Sequence, residues 1–193
     1  MERWLAALLV TPGLTAITDP VEARRVHVEG ALAAAPLLDH GPVIDVGSGG
    51  GSPGLPLAAA RPDLEFVLLE SQRRKCAFLE EVTRDFANVS VLCARAEEHA
   101  RDAGRDAYAS ALARALAPPP VAAEWCLPLL RLGGLAVLFV GRSPDEDAVG
   151  KVAALLAAEP EESPPGFLLL RKVGPTPERF PRRPGLARKR PLA

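Results

Sequence analysis

The chain has 193 residues, 48% apolar and 24% charged, with a formal net charge of −1. That length suits one domain with one core, and the scarcity of aromatics favours close helix-on-sheet packing over an all-β sandwich. Cys76, Cys93 and Cys126 are odd in number and far apart, with no C-x-x-C pair. This spacing argues against a disulfide framework and a zinc or other metal site, and for a reduced, cytoplasmic protein.

Residues 1–40 read as a short helical segment that packs on the core, broken at Thr11-Pro12-Gly13. Its apolar stretch Trp4–Val10 is too short to span a membrane, and the leading Glu2 and Arg3 cancel, unlike the basic lead of a signal peptide. Asp19-Pro20 is an N-cap followed by Pro at the first helical position, opening a helix to about Leu38.

Residues 41–174 form the expected core. Pro42–Val46 is a short apolar run ending in glycines, read as a buried strand, and Pro53–Ala60 is the helix after it. A strand at Glu65–Leu69 ends at Glu70, and Gln72–Phe86 is an amphipathic helix with Cys76, Phe78, Leu79 and Val82 on its core face. Strands follow at Val89–Cys93 and Tyr108–Ala113. A helix is expected from Pro118-Pro119-Pro120 to about Leu132, then a Gly133-Gly134 turn into a strand at Leu135–Val140. Asp145–Pro165 is ambiguous, since Val152–Ala158 fits helix or strand, and Phe167–Val173 is a last strand. The alternation predicts an α/β fold with a mostly parallel sheet flanked by helices.

Residues 175–193 form a basic, Pro-rich tail. From Arg171 onward the balance is +7, against −8 for the preceding 170 residues. Arg179, Arg182, Arg183, Arg188, Lys189 and Arg190 alternate with prolines, which predicts an extended, mobile segment suited to a polyanionic partner.

The most informative stretch is Asp45-Val-Gly47-Ser-Gly49-Gly-Gly51-Ser-Pro-Gly54, directly after the first strand. Glycines there let the backbone turn sharply and approach a ligand at the carboxyl edge of the sheet. Gly49-x-Gly51-x-x-Gly54 fits a dinucleotide fingerprint. Asp45-x-Gly47-x-Gly49 fits another ligand: an acidic strand end repels a pyrophosphate but suits the ammonium and sulfonium of S-adenosylmethionine. Glu70 suits a ribose diol, which both cofactors carry, so Asp45 is the discriminating residue.

Together these residues resemble the RsmG (GidB) family of bacterial 16S rRNA guanine-N7 methyltransferases. The landmarks are Leu14-Thr-Ala-Ile-Thr-Asp-Pro20, His27, Ile44–Gly51, Pro53–Ala58, Arg61-Pro62, Leu68–Ser71, Arg73–Leu79, Arg95–Glu98, Arg114-Ala115 and the tail from Glu178 to Leu192. The resemblance implies the class I, Rossmann-like methyltransferase fold and S-adenosylmethionine as cofactor. It also implies 16S rRNA or the small ribosomal subunit as partner. Carried over by motif, the cofactor contacts fall on Gly47, Ser52, Ala96, Glu97 and Arg114, beside Asp45, Gly49 and Glu70 from the loop argument. RNA contact falls on Arg179, Arg182, Arg183, Lys189 and Arg190. The chain departs from the family pattern at Gly30-Ala31, Ala109 and Val140, and in a short N-terminus.

Guanine N7 has a free lone pair, so transfer to it requires alignment and no general base. His27, His40 and His99 are accordingly read as structural or exposed. Cys126 is read as core, which argues against cytosine C5 chemistry through a thiolate. Ala117-Pro-Pro-Pro120 lacks the acceptor and the aromatic of an amino-group methylase motif. Two rivals stay open, a family-like binder of RNA or cofactor without turnover and a nicotinamide-dependent oxidoreductase.

Overall fold

The computed structural model describes residues 1–141 and 143–193. The N-terminal segment holds α1 (Glu2–Val10), α2 (Pro20–Ala23), a π-helical turn (Arg24–Glu29), α3 (Gly30–Leu32) and a 3-10 turn (Ala35–Leu37). Asp19 caps α2 by accepting from Glu22 N–H at 2.7 Å, with Pro20 in the first turn, as its sequence predicts. The single helix expected to Leu38 is instead broken into α, π and 3-10 pieces.

The core then alternates: β1 (Val43–Val46), α4 (Gly54–Ala60), β2 (Phe66–Glu70), α5 (Arg73–Val82), β3 (Val89–Cys93), α6 (Ala96–His99), β4 (Tyr108–Arg114), α7 (Pro119–Cys126), β5 (Leu130–Phe139), α8 (Glu146–Leu155), β6 (Ala158–Glu161) and β7 (Phe167–Lys172). The sheet order is β3-β2-β1-β4-β5-β7-β6, parallel through β5, with β7 antiparallel to both its neighbours. Chain order reverses between β1 and β4, and such switch points open a crevice at the carboxyl ends of the strands.

Both faces of the sheet are covered, and side chains alternate between them with the period of two that a strand imposes. Ile44, Val46, Ala111, Ala113, Ala136, Leu138, Leu168 and Leu170 join α7 and α8 in one cluster. Val43, Leu112, Leu135, Val137, Phe167 and Leu169 join Leu57 and Ala58 of α4 in a cluster on the other face. Trp4, Leu5 and Leu8 of α1 pack with Leu55, Leu68 and Leu79, and Trp4 Nε1 donates to the Gly50 carbonyl at 2.8 Å. The first helix therefore supports the glycine loop from outside.

Two expectations are corrected here and one open reading is resolved. The helix expected to Leu132 ends at Cys126, passes through a 3-10 turn at Leu127–Leu129, and β5 begins at Leu130. Gly133-Gly134 is thus an irregularity inside β5, paired with a register shift between Tyr108 and Ser110, and not the turn before a strand. The ambiguous 145–165 region resolves into α8 and β6, capped by Asp145 accepting from Ala148 N–H.

Cys76 and Cys93 form a disulfide with Cα atoms 5.7 Å apart, against the expectation of free thiols. Cys76 lies in the first turns of α5 facing the sheet, and Cys93 ends β3 in register with Glu70. The α5 crossover brings them together, which their separation in sequence conceals. Cys126 is the free, buried thiol among the described cysteines, and burial pushes its pKa up.

The tail is docked, not extended. Phe180 and Ala187 are buried, and α9 (Leu186–Lys189) forms one short turn of helix. Arg105 donates to the carbonyls of Phe180 and Thr176 at 2.7 and 2.6 Å, and Arg101 donates to Pro181. Arg182 makes a two-pronged ion pair with buried Glu124, both contacts 2.6 Å. Lys172, fully buried, donates to the Leu156 carbonyl and to Thr176 Oγ1, which in turn donates to Asp106. The prolines that forbid a long helix do not prevent docking, because side chains from the core supply the hydrogen bonds that the irregular backbone lacks.

Candidate active site

A cavity of about 460 Å³ opens at the carboxyl ends of β1, β2 and β3. Its wall takes Val46 and Gly47 from β1 and the glycine loop, Leu69 to Gln72 from the end of β2, and Lys75 from α5. Ala94 to Glu97 enter after β3, Ala115 and Leu116 after β4, Trp125 from α7 and Arg188 from the tail. Four sequence-predicted residues, Gly47, Glu70, Ala96 and Glu97, are brought together here.

Gly47 turns the chain at the end of β1 with φ +72°, and its N–H and that of Ser48 donate to the Leu69 carbonyl. A Cβ at position 47 would run into Leu116, another wall residue. The left-handed backbone favours glycine at this position, and a Cβ there would also have to displace the end of the Leu116 side chain.

Glu70 is buried, and its carboxylate is already engaged. Oε2 accepts from Gly49 N–H at 3.0 Å, while Oε1 accepts from Ser71 and Gln72 N–H at 2.7 and 2.8 Å. A carboxylate oxygen has two lone pairs, so Oε1 is filled and Oε2 keeps one acceptor site. Gly49 therefore serves by holding Glu70, without itself lining the cavity.

Glu97 is buried at the start of α6, accepts from Gly185 N–H of the tail at 2.8 Å, and lies 3.7 Å from Arg95 Nε. Trp125 lines the same wall, and its buried indole N–H has no acceptor among the described residues. The wall thus presents carboxylate acceptor capacity on Glu70 and Glu97 beside the Trp125 side chain, whose indole nitrogen is itself buried. A ribose and a purine offer the matching groups, so these residues fit an adenosine-bearing ligand.

Asp45, Ser52 and Arg114 stand behind the loop. Alternation along β1 sends the Asp45 side chain to the α4 face, where Oδ2 accepts from Gly54 N–H at 3.1 Å. Burial pushes the Asp45 carboxyl up to about 7, only partly offset by the hydrogen bonds it accepts. The argument that Asp45 faces the ligand's cations is therefore corrected: its contact is with the first turn of α4. Arg114 donates to Ser52 Oγ at 3.0 Å and to the Val26 carbonyl at 2.8 Å, and Ser52 Oγ donates to the His27 carbonyl. His27 Nε2 pairs with Thr15 Oγ1, and burial followed by the Arg114 charge holds its pKa down. His99 pairs with Tyr108 Oη at 2.7 Å.

Sequence reasoning missed Lys75, Leu116, Trp125 and Arg188 in this wall. Arg188 belonged to a segment read as free, and Trp125 to a helix in which only Cys126 was assigned, as core. Among the described residues no group of three or more His, Cys, Asp or Glu side chains converges as metal ligands, and no helix is long and apolar enough to cross a membrane.

The fold is that of class I methyltransferases. The T. thermophilus 16S rRNA methyltransferase RsmC, solved with AdoMet and guanosine, superposes with TM-score 0.57 at 20% identity, over 87% of this chain and 43% of that one. A precorrin-6y C5,15-methyltransferase from Geobacter metallireducens superposes with TM-score 0.56 at 15% identity, over 85% and 92% of the two chains. In sequence, the chain is 39% identical to a ribosomal RNA small subunit methyltransferase G from Synechococcus elongatus, over 93% of this chain and 82% of that protein. It is 42% identical to the protein of the same name from Rubrobacter xylanophilus, over 83% and 69%. The family model described as rRNA small subunit methyltransferase G matches residues 3–163. With that match and those relatives, the chain belongs to the GidB family of rRNA small subunit methyltransferases G.

Proposed function

We propose that the chain transfers a methyl group from S-adenosylmethionine to N7 of a guanine in 16S rRNA. The observation that carries this reading is the cavity at the strand ends, where a Cβ-free Gly47 and the buried carboxylate of Glu70 share one wall. The bound cofactor supplies an electrophilic methyl group on a sulfonium. Everything else is positioning by the chain. Glu70 would hold the ribose, Glu97 and the Trp125 side chain would flank the purine, and Gly47 would leave room for the amino-acid end. Asp45, Gly49, Ser52 and Arg114 act one step back by fixing the loop.

N7 carries its lone pair without losing a proton, so no side chain has to act as a base, and the structural pairings of His27 and His99 are compatible with that. For RNA, the exposed Arg179, Arg183, Lys189 and Arg190 remain the tail's candidate phosphate contacts. Arg182 is withdrawn, because its guanidinium is committed to Glu124.

The test is methyl transfer from tritiated S-adenosylmethionine to 16S rRNA and to small subunits isolated from a strain lacking this activity. Incorporation should map to N7 of one guanine. Cofactor binding with no incorporation into either substrate would establish the rival reading, a binder without turnover.

A further inference from the structure

The tail belongs to the cavity as much as to the surface. Gly185 takes φ +75°, and this left-handed turn aims its N–H at Glu97 Oε1, 2.8 Å away. One helical turn later Arg188 reaches the cavity wall, donates to the Leu116 carbonyl at 2.8 Å and places its guanidinium carbon 5.3 Å from the centre of the Trp125 ring. Trp125 follows Glu124, the buried partner of Arg182. Arg182, Gly185 and Arg188, spaced three residues apart, thus touch four residues of the wall or its immediate support.

We infer that the segment Arg182–Arg188 is an integral wall of the ligand cavity, with Arg188 a positioning residue for Trp125 and Leu116, so that ligand binding and tail docking are coupled. This rests on the reading of the cavity as an adenosine-binding site. Glu97 is the shared element: its carboxylate latches Gly185 on one side and faces the cavity on the other. Arg188 holds the Trp125 face by a cation–π contact and pins the backbone of Leu116, which packs next to Gly47. A ligand seated against Trp125 and Glu97 favours the docked tail, and by linkage the docked tail raises ligand affinity by the same factor. The chemistry is not specific to the methyl group, so the demethylated product S-adenosylhomocysteine is a sufficient probe.

The experiment uses the full chain and S-adenosylhomocysteine. Calorimetry gives the Kd for the wild type, Arg188→Ala, Arg188→Lys and a chain ending at Arg183, with Lys151→Ala as a same-charge control remote from the cavity. Hydrogen exchange of residues 176–190 is followed with and without the probe. Arg188→Ala should raise Kd at least fivefold with its melting temperature unchanged, because the side chain is exposed and its contacts serve the wall. Arg188→Lys should recover part of this, since an ammonium keeps the Leu116 donor and loses the planar stack. Truncation should raise Kd tenfold or more, and the probe should slow exchange at Gly185 and along α9 in the wild type. Equal Kd for the wild type and Arg188→Ala, with tail exchange unaffected by the probe, overturns the inference. Failure of the wild type itself to bind the probe would instead overturn the reading of the cavity.

Discussion

Arg114, at the end of β4, donates to Ser52 Oγ in the glycine loop while its other amino group holds the Val26 carbonyl. One half-buried guanidinium therefore ties the sheet, the glycine loop and the π-helical turn of the N-terminal segment together. Ser52 extends the tie through its own donation to the His27 carbonyl.

Arg114→Ala should free the N-terminal segment before it unfolds the core. We expect a loss of about 2–3 kcal/mol, the cost of leaving two acceptors without a charged donor. Arg114→Lys should restore little, because one ammonium cannot span both partners as a planar guanidinium does. Limited proteolysis should show faster cleavage around residues 11–18 in both variants, with fragments beginning beyond them staying folded. Unchanged cleavage would mean that the apolar contacts of α1 alone hold this segment.

Glu70 has a similarly specific expectation. Its two oxygens accept three backbone N–H groups, so Glu70→Ala leaves three donors unsatisfied beside the loop, a loss of roughly 2–4 kcal/mol. Glu70→Gln should be nearly as damaging, because its amide NH2 must face at least one of those N–H donors. Urea titration measures the stability and calorimetry the ligand affinity. Wild-type stability in Glu70→Gln would show that the loop rearranges to spare the clash of donors.

The Arg182–Glu124 pair anchors the tail in a buried position. Arg182→Met should cost about 3–5 kcal/mol, since it strands a buried carboxylate without its counter-charge. Adding Glu124→Gln should return much of the loss, because a neutral amide is far cheaper to bury. Chemical denaturation of the two single variants and the double variant forms a cycle, and additive effects would mean that the pair is not coupled.

Asp45 makes stability depend on pH. Its folded pKa is raised from 3.8 to about 7 by burial, so the native state keeps a proton that the unfolded chain releases. The resulting stability is fully present below pH 3.8 and is lost as pH rises through about 7, on the order of 4 kcal/mol in all. Asp45→Asn keeps an acceptor for Gly54 N–H and removes the ionisation. The variant should therefore melt at a higher temperature than the wild type at pH 8, with the gap closing toward pH 4. Parallel curves of melting temperature against pH would rule out a raised Asp45 pKa.

Local pattern alone determined much of this protein. Short apolar runs mark β1, β2, β3 and β7, Asp19-Pro20 marks α2, and the glycines after β1 mark where a ligand approaches. Those signals are legible because they come from backbone sterics and side-chain period, which act within a few residues. Gly133-Gly134 misled for the same reason, since a glycine pair reads as a turn unless its strand partner is known; here the partner is Tyr108–Ser110, where the register shifts. The direction of Asp45 depended on which sheet face α4 covers, and the Cys76–Cys93 pairing on the path of the α5 crossover. The tail shows the difference most clearly. Its charge and prolines describe an isolated segment correctly, as one with no regular structure of its own. Docking was decided by Glu124, Glu97, Arg101 and Arg105, far away in the chain, which pair with its charges and satisfy its backbone. Long-range partners of that kind leave no periodic trace in sequence, and only the assembled sheet and helices bring them within hydrogen-bonding distance.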